Sequence, residues 1–207
     1  MSAADLSTHG LIEAACATIS KQLIGTRYAF IGGAACRLLG SDRTTNDVDI
    51  VVLRGEVPAA RARIAESSEF TVEPRTRYTW FKGQTHVPID ILSPPMMFRS
   101  VFDADTPTVK VERNGVSAVV LHPIALLNAK CQSIHERPVL KKYNDYDDIV
   151  FLLRWLAVHS IIPTADQVPN ASDGNGIYLM NTFGYQDAWI TAGYDCEKGR
   201  LFPAGSS

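Results

Sequence analysis

Apolar residues recur at helical spacing across residues 10–24 (GLIEAACATISKQLI), which predicts an amphipathic helix. YAFIGG (28–33) reads as a short buried strand ending in a glycine pair, followed by a short helix, AACRLLG, with Gly40 placed as its C-cap. The polar SDRTTN is a loop. DVDIVVL (47–53) is a second buried strand, and Pro58 opens a helix through PAARARIAESS. Strands follow at FTVE (70–73), RYTWFKG (77–83) and VPIDIL (87–92). TVKVERNGVSAVVLHP forms a hairpin, with Asn114-Gly115 as its type I′ turn. From Pro123 the period becomes helical again, in PIALLNAKCQSIHER and NDYDDIVFLLRWLAVHS. The remainder is turn-rich and acidic, with one helix expected near 177–190. The order predicts an α+β protein: a core at 1–122, a helical cap at 123–160 and a turn-rich tail at 161–207.

Composition narrows the class. The 207 residues are 46% hydrophobic and 20% charged, which excludes collagen-like, disulfide-scaffold and wholly disordered chains. Twenty basic residues against 22 acidic ones give a net charge of −2, so no global positive field recruits nucleic acid, and nothing points to DNA. No stretch approaches the roughly 18 consecutive apolar residues of a membrane span. The N-terminus lacks the basic-then-apolar order of a signal peptide. Cys16, Cys36, Cys131 and Cys196 are scattered without a CxxC pair. They read as reduced thiols, with a cytoplasmic location expected and a nuclear one open.

The segment IGGAACRLLGSDRTTNDVDIVV carries the chemistry. Glycines let a backbone approach a bulky anion, and the helix that follows presents its N–H groups at a positive end. Gly32 and Gly33 are therefore candidate phosphate contacts. In a strand, positions i and i+2 share a face, so Asp47 and Asp49 project together. Two such carboxylates repel unless a cation lies between them, and Mg²⁺ is the natural occupant, with Mn²⁺ an alternative. Asp90, between Ile89 and Ile91, is an aspartate in an apolar strand and needs a partner there. If the strands are neighbours, three carboxylates can hold two ions about 4 Å apart.

A glycine pair after a strand, a short helix, D-x-D on the next strand and a later aspartate together resemble the DNA polymerase beta-like nucleotidyltransferase superfamily. The motifs span residues 28–92, and the likeness extends to about residue 158. GGAACRLLGSDRTTNDVDI looks closest to AbiEii-type minimal nucleotidyltransferases, which share an R-x-T/S-x-D-x-D run, here Arg43, Thr44, Thr45, Asn46 and Asp47. The resemblance implies a nucleotidyltransferase fold, a small mixed sheet flanked by helices with a C-terminal helical cap completing the nucleotide cleft. It implies transfer of a nucleotidyl group from a nucleoside triphosphate to a hydroxyl acceptor (RNA, protein or small molecule), with Asp47, Asp49 and Asp90 as catalytic metal ligands. Gly32, Gly33, Arg43, Lys130, Asp145 and Asp148 are then nucleotide-binding candidates. Lys130 is expected at the rim of an apolar helix face with its ammonium on phosphate, and Asp145 and Asp148 in the first turn of the next helix.

Other readings remain beside these. Arg43 could instead brace Asp42 or Asp47, Arg37 reads as a solvent or helix-face charge, and Trp80 and Phe81 read as core. His86, His122 and His135 lack metal-ligand spacing. The rival functions are a catalytically weak nucleotide- or RNA-binding module on the same fold and a purely structural protein.

Overall fold

The computed structural model describes residues 8–95, 98–172 and 174–202. The expected tail therefore extends, at 203–207, outside the described residues. The chain resolves into two compact units, one running to Leu121 and one from His122.

The first unit is a seven-stranded mixed sheet with helices. Helix α1 (Thr8–Gln22) buries Leu11, Ile12, Ala15, Cys16 and Ile19, the three-and-four spacing that the sequence displays. Strand β1 (Tyr28–Ile31) is buried throughout and runs directly into α2 (Gly32–Leu39), so both glycines belong to the helix rather than to the strand. Gly40 closes α2 in the left-handed region (φ 119°), as its C-cap placement requires. Strand β2 (Val48–Val52), α3 (Val57–Ala65), β3 (Phe70–Val72), β4 (Thr79–Phe81) and β5 (Val87–Leu92) follow. The unit ends in the hairpin β6 (Thr108–Arg113) and β7 (Val116–Leu121), where Asn114 and Gly115 both have positive φ (49° and 78°), as a type I′ turn demands. The strand order is β3-β4-β5-β2-β1-β7-β6. Strand β2 lies antiparallel to β1 and parallel to β5, and β5 lies antiparallel to β4. Val48, Ile50, Val52, Ile89, Ile91 and Phe81 are buried on one face of these strands, and α1 and α3 pack against the sheet.

The second unit is helical. Helix α4 (Pro123–Ser133) passes through a short 3₁₀ turn into α5 (Val139–Val158), then α6 (Asn175–Phe183), α7 (Gln186–Thr191) and a small hairpin, β8 (Tyr194–Asp195) with β9 (Arg200–Leu201). The tail thus holds two helices where one is expected, because Gly184 and Tyr185 both take positive φ (89° and 56°) and break the run. Helix α5 begins five residues earlier than the apolar pattern predicts. Val139 and Leu140 in its first turn face solvent and contribute no amphipathic signal. Trp189 is fully buried and donates Nε1 to the Tyr146 hydroxyl at 3.1 Å, which itself donates to the Gly184 carbonyl at 2.5 Å. Burial pushes the Cys131 thiol up to about 12, so it is a neutral core group.

Helix α4 is capped by His122, whose Nδ1 accepts from the Ile124 amide at 3.3 Å. Partial burial lowers the pKa of this imidazole, favouring the neutral form that can accept. Its contribution to stability is therefore present above the ordinary value of about 6.5 and is lost as pH falls through the depressed folded-state pKa. Asparagine at 122 caps without titrating. In urea unfolding, wild type is expected to lose about 0.5–2 kcal/mol more than His122→Asn between pH 8 and pH 5; equal losses would contradict the cap.

Candidate active site

Register assembles the acidic row. Along the parallel β2–β5 ladder Val48 pairs with Ile89 and Asp49 with Asp90. Paired residues share a face and neighbouring strands lie about 4.8 Å apart, so Asp49 and Asp90 stand side by side. Asp47, expected within the strand, precedes its first residue, Val48, and its carboxylate accepts from the Thr45 hydroxyl. Ile31, the last residue of β1, pairs with Asp49 from the other flank, so Gly32 begins α2 beside the acidic row. Asp47 and Asp49 are half-buried and Asp90 is exposed. This corrects the expectation of a core aspartate: Asp90 sits on the open face, where water solvates it, while Ile89 and Ile91 turn inward.

The glycines are there for space. Gly32 has φ 64°, and a Cβ on it would lie 2.5 Å from Asp49 Oδ2. A Cβ on Gly33 would lie 2.6 Å from Thr45 Oγ1 and 2.7 Å from Arg43 Nη2. The first turn of α2 therefore has a carboxylate against one glycine and a guanidinium against the next. No side chain caps this helix end, and its first turn contains no acid. Loop 41–46 is held from several sides. Arg43 Nη1 donates to the Thr44 carbonyl at 2.9 Å, Thr44 Oγ1 meets His9 Nε2 at 2.9 Å, and the Arg43 amide donates to Ser41 Oγ at 3.3 Å. Thr45 Oγ1 donates to Asp47 Oδ1 at 3.0 Å and so fixes that carboxylate. Arg37 is not a solvent charge. Its guanidinium pairs with Glu13 at 3.1 Å and donates to the Ser41 carbonyl at 3.1 Å, bracing α2 against α1.

The donor set suits a hard cation in type, since all three groups are carboxylates, and two of them, Asp49 and Asp90, are in lateral register. The side chains do not converge on a point. Asp47 leans on Thr45, Asp49 lies over Gly32, and Asp90 faces solvent. Among the described residues no three His, Cys, Asp or Glu side chains are grouped closely enough to hold a metal ion.

The second unit places Lys130, Asp145 and Asp148 together. Lys130 Nζ lies 2.5 Å from Asp145 Oδ1 and 2.8 Å from Asp148 Oδ2, and Arg137 Nε lies 3.0 Å from Asp145 Oδ2. The lysine side chain is 11% exposed and Asp148 is wholly buried. Two expectations are corrected here. Lys130 is inside the α4 face rather than at its rim, because Leu126, Leu127, Cys131 and Ile134 are buried around it. Asp145 and Asp148 lie beyond the first turn of α5, whose early start at Val139 moves them inward. The three groups form one ionic cluster between α4 and α5.

No protein-family model matches the chain, and no curated protein matches it. Solved structures do. An antigenic nucleotidyltransferase-like protein from Paracoccidioides brasiliensis superposes with a TM-score of 0.63 at 18% identity, covering 92% of this chain and 94% of the other. A presumed nucleotidyltransferase from Helicobacter pylori gives 0.56 at 15% identity, covering 93% and 87%. JHP933 from Helicobacter pylori gives 0.56 at 14% identity, covering 91% and 81%. The chain has the nucleotidyltransferase fold.

Within this nucleotidyltransferase fold, two residues gain a place that sequence reasoning does not give them. Thr45 orients Asp47. Trp80, expected in the core, is half-buried on the acidic face, because it pairs with Pro88, two residues from Asp90. A residue count from Asp90 along paired strands finds it once the register is known.

Two substitutions test this geometry. Gly25 has φ 79° with nothing within 4 Å of where a Cβ would sit, so Gly25→Ala isolates backbone strain, about 1–2 kcal/mol. Gly32→Ala adds a collision with Asp49 and is expected to lose more in urea unfolding; equal losses would refute the close approach. Lys130→Met removes the ammonium shared by two buried carboxylates, of which Asp145 keeps Arg137, and is expected to lose about 3–5 kcal/mol.

Proposed function

We propose that the protein transfers a nucleotidyl group from a nucleoside triphosphate to a hydroxyl acceptor, releasing pyrophosphate. The observation that carries this reading is the Asp49–Asp90 register beside the glycine start of α2. It sets an anion-binding helix end and a carboxylate row next to each other. The fold shared with nucleotidyltransferase-like structures supports it.

Gly32 and Gly33 admit the triphosphate to the first-turn amides of α2, and Arg43, against Gly33, meets its negative charge. Asp47, Asp49 and Asp90 would hold Mg²⁺ or Mn²⁺, which when bound neutralises the phosphates and lowers the pKa of the acceptor hydroxyl. Thr45 keeps Asp47 in place. The acceptor hydroxyl gives up its proton to water as its oxygen attacks the α-phosphorus and forms the new O–P bond, and the bond to the bridging oxygen breaks with its electron pair leaving on pyrophosphate. Asp90, exposed and on the β4 side of the row, is the carboxylate an incoming hydroxyl meets first. Catalysis rests on positioning and charge stabilisation. Lys130, Asp145 and Asp148 enter as a brace between α4 and α5 rather than as phosphate ligands.

The test combines radiolabelled triphosphates with pyrophosphate detection. Asp49→Asn is expected to lower turnover by about 10³-fold, equivalent to about 4 kcal/mol of lost charge stabilisation, with the melting temperature nearly unchanged. Removal of divalent ions by EDTA should have the same effect. Retained activity in the variant would reject the assignment. Triphosphate binding without pyrophosphate release by wild type would put the catalytically weak binding module in its place, a reading favoured by the separate orientations of the three carboxylates.

A further inference from the structure

The sheet face that carries Asp49 and Asp90 also carries a row of rings, two of them exposed and one half-buried. Trp80 on β4 pairs with Pro88 on β5, so Trp80 shares the face of Pro88 and Asp90. Tyr78 immediately precedes Thr79, whose partner on β5 is Ile89, the residue before Asp90. His86, two residues before Pro88, completes the set. The rings touch: Tyr78 and Trp80 have centroids 5.4 Å apart, and Trp80 and His86 stack at 5.6 Å with planes 27° apart. Tyr78 is 49% exposed, His86 is exposed and Trp80 is half-buried. On the opposite face of the same strand Phe81 is fully buried against Phe70. The sequence places aromatic residues on both faces of β4, and only one set is core.

Strand order fixes which side of the chemistry these rings serve. Reading across the sheet, β4 brings the rings, β5 Asp90, β2 Asp49, and β1 the glycine start of α2. The anion-binding helix end and the ring row therefore flank the carboxylates from opposite sides. The turn leading into Tyr78 adds charge: Arg75 and Arg77 are both exposed there. Glu73, the acid in that turn, accepts from the Arg75 amide and from Thr76, so its carboxylate is engaged locally.

We propose that Tyr78, Trp80 and His86 form the acceptor platform, which stacks the base of a nucleotide acceptor while Arg75 and Arg77 meet its phosphate and its hydroxyl is directed to Asp90. This rests on the transfer reading above. Flat rings with polar edges suit a heteroaromatic base, and stacking tolerates any base because every base offers a π-face. The diagonal from Trp80 to Asp90 is about 7–8 Å in an antiparallel pair, close enough for a stacked nucleotide to bring its ribose to the carboxylate. The acceptor could be a free nucleotide or the end of an RNA strand, and the base and phosphate are common to both.

The test measures acceptor and triphosphate binding separately. Fluorescence anisotropy with a labelled octariboadenylate, competed by AMP, reads the platform; equilibrium dialysis with a non-hydrolysable triphosphate analogue reads the helix-end site. Tyr78→Ala and Trp80→Ala are each expected to weaken octariboadenylate or AMP binding about 5- to 150-fold, with analogue affinity unchanged. Tyr78→Phe, which keeps the ring, should bind as wild type does. Tyr78 is exposed, so its variants do not depend on the fold tolerating a lost core group. AMP binding as tightly per site as the octamer identifies a free-nucleotide acceptor, and octamer binding alone identifies an RNA end; both support the platform. Unchanged binding in both alanine variants overturns it, as does a wild type that binds the analogue but neither adenylate probe. If the probes bind through Tyr78 while the analogue does not bind at all, the platform stands and the transfer reading falls.

Discussion

The pairing of β2 on β5 is the constraint on which the candidate site depends. Because side chains alternate along a strand, a one-residue slip would send Asp90 to the buried face and Ile89 or Ile91 to the open one. The same slip would expose an isoleucine and bury a carboxylate without a partner, two losses of the same sign. The apolar residues Val48, Ile50, Ile89 and Ile91 thus hold the acids in place although none of them takes part in chemistry. The position of Asp90 beside Asp49 follows from hydrophobic packing on the other side of the sheet.

A second constraint acts at the end of β1. The chain must turn from a buried strand into a helix within one residue, beside a carboxylate that occupies the space a Cβ would need. Gly32 meets both demands with a positive φ and no side chain. Gly33 meets a different one, since its φ is ordinary and only the closeness of Thr45 and Arg43 excludes a larger residue. The pair therefore records two separate contacts, one with β2 and one with the loop that precedes it. That loop in turn fixes Asp47 through Thr45, so the start of α2 and the acidic row share their supports.

Much of this is legible in the chain. Strand and helix order and the hairpin at Asn114-Gly115 follow from local period and turn chemistry, which depend on near neighbours. What is not legible depends on partners distant in sequence. Trp80 reads as core because a strand pattern does not say which face is covered, and only its pairing with Pro88 decides that. Lys130 reads as a rim residue because a helical wheel shows the apolar stripe but not the two aspartates that α5 brings to it. The start of α5 is hidden because exposed Val139 and Leu140 carry no amphipathic signal, and the later start expected from the pattern puts Asp145 and Asp148 in the wrong turn.

The Lys130 cluster and the acidic row show how the same residue types come to serve opposite ends. Around Lys130 two carboxylates meet an ammonium and Arg137 within a buried helical interface, so their charge is neutralised by the protein itself. On the sheet, Asp49 and Asp90 stand side by side on an open face, where water reaches Asp90 and a further charge can be added from outside. Arg43, the guanidinium at this end, lies against Gly33. The acidic row instead keeps two carboxylates in lateral register where solvent reaches Asp90, so the same residue type is held by an ion-pair network in one place and by strand register in the other.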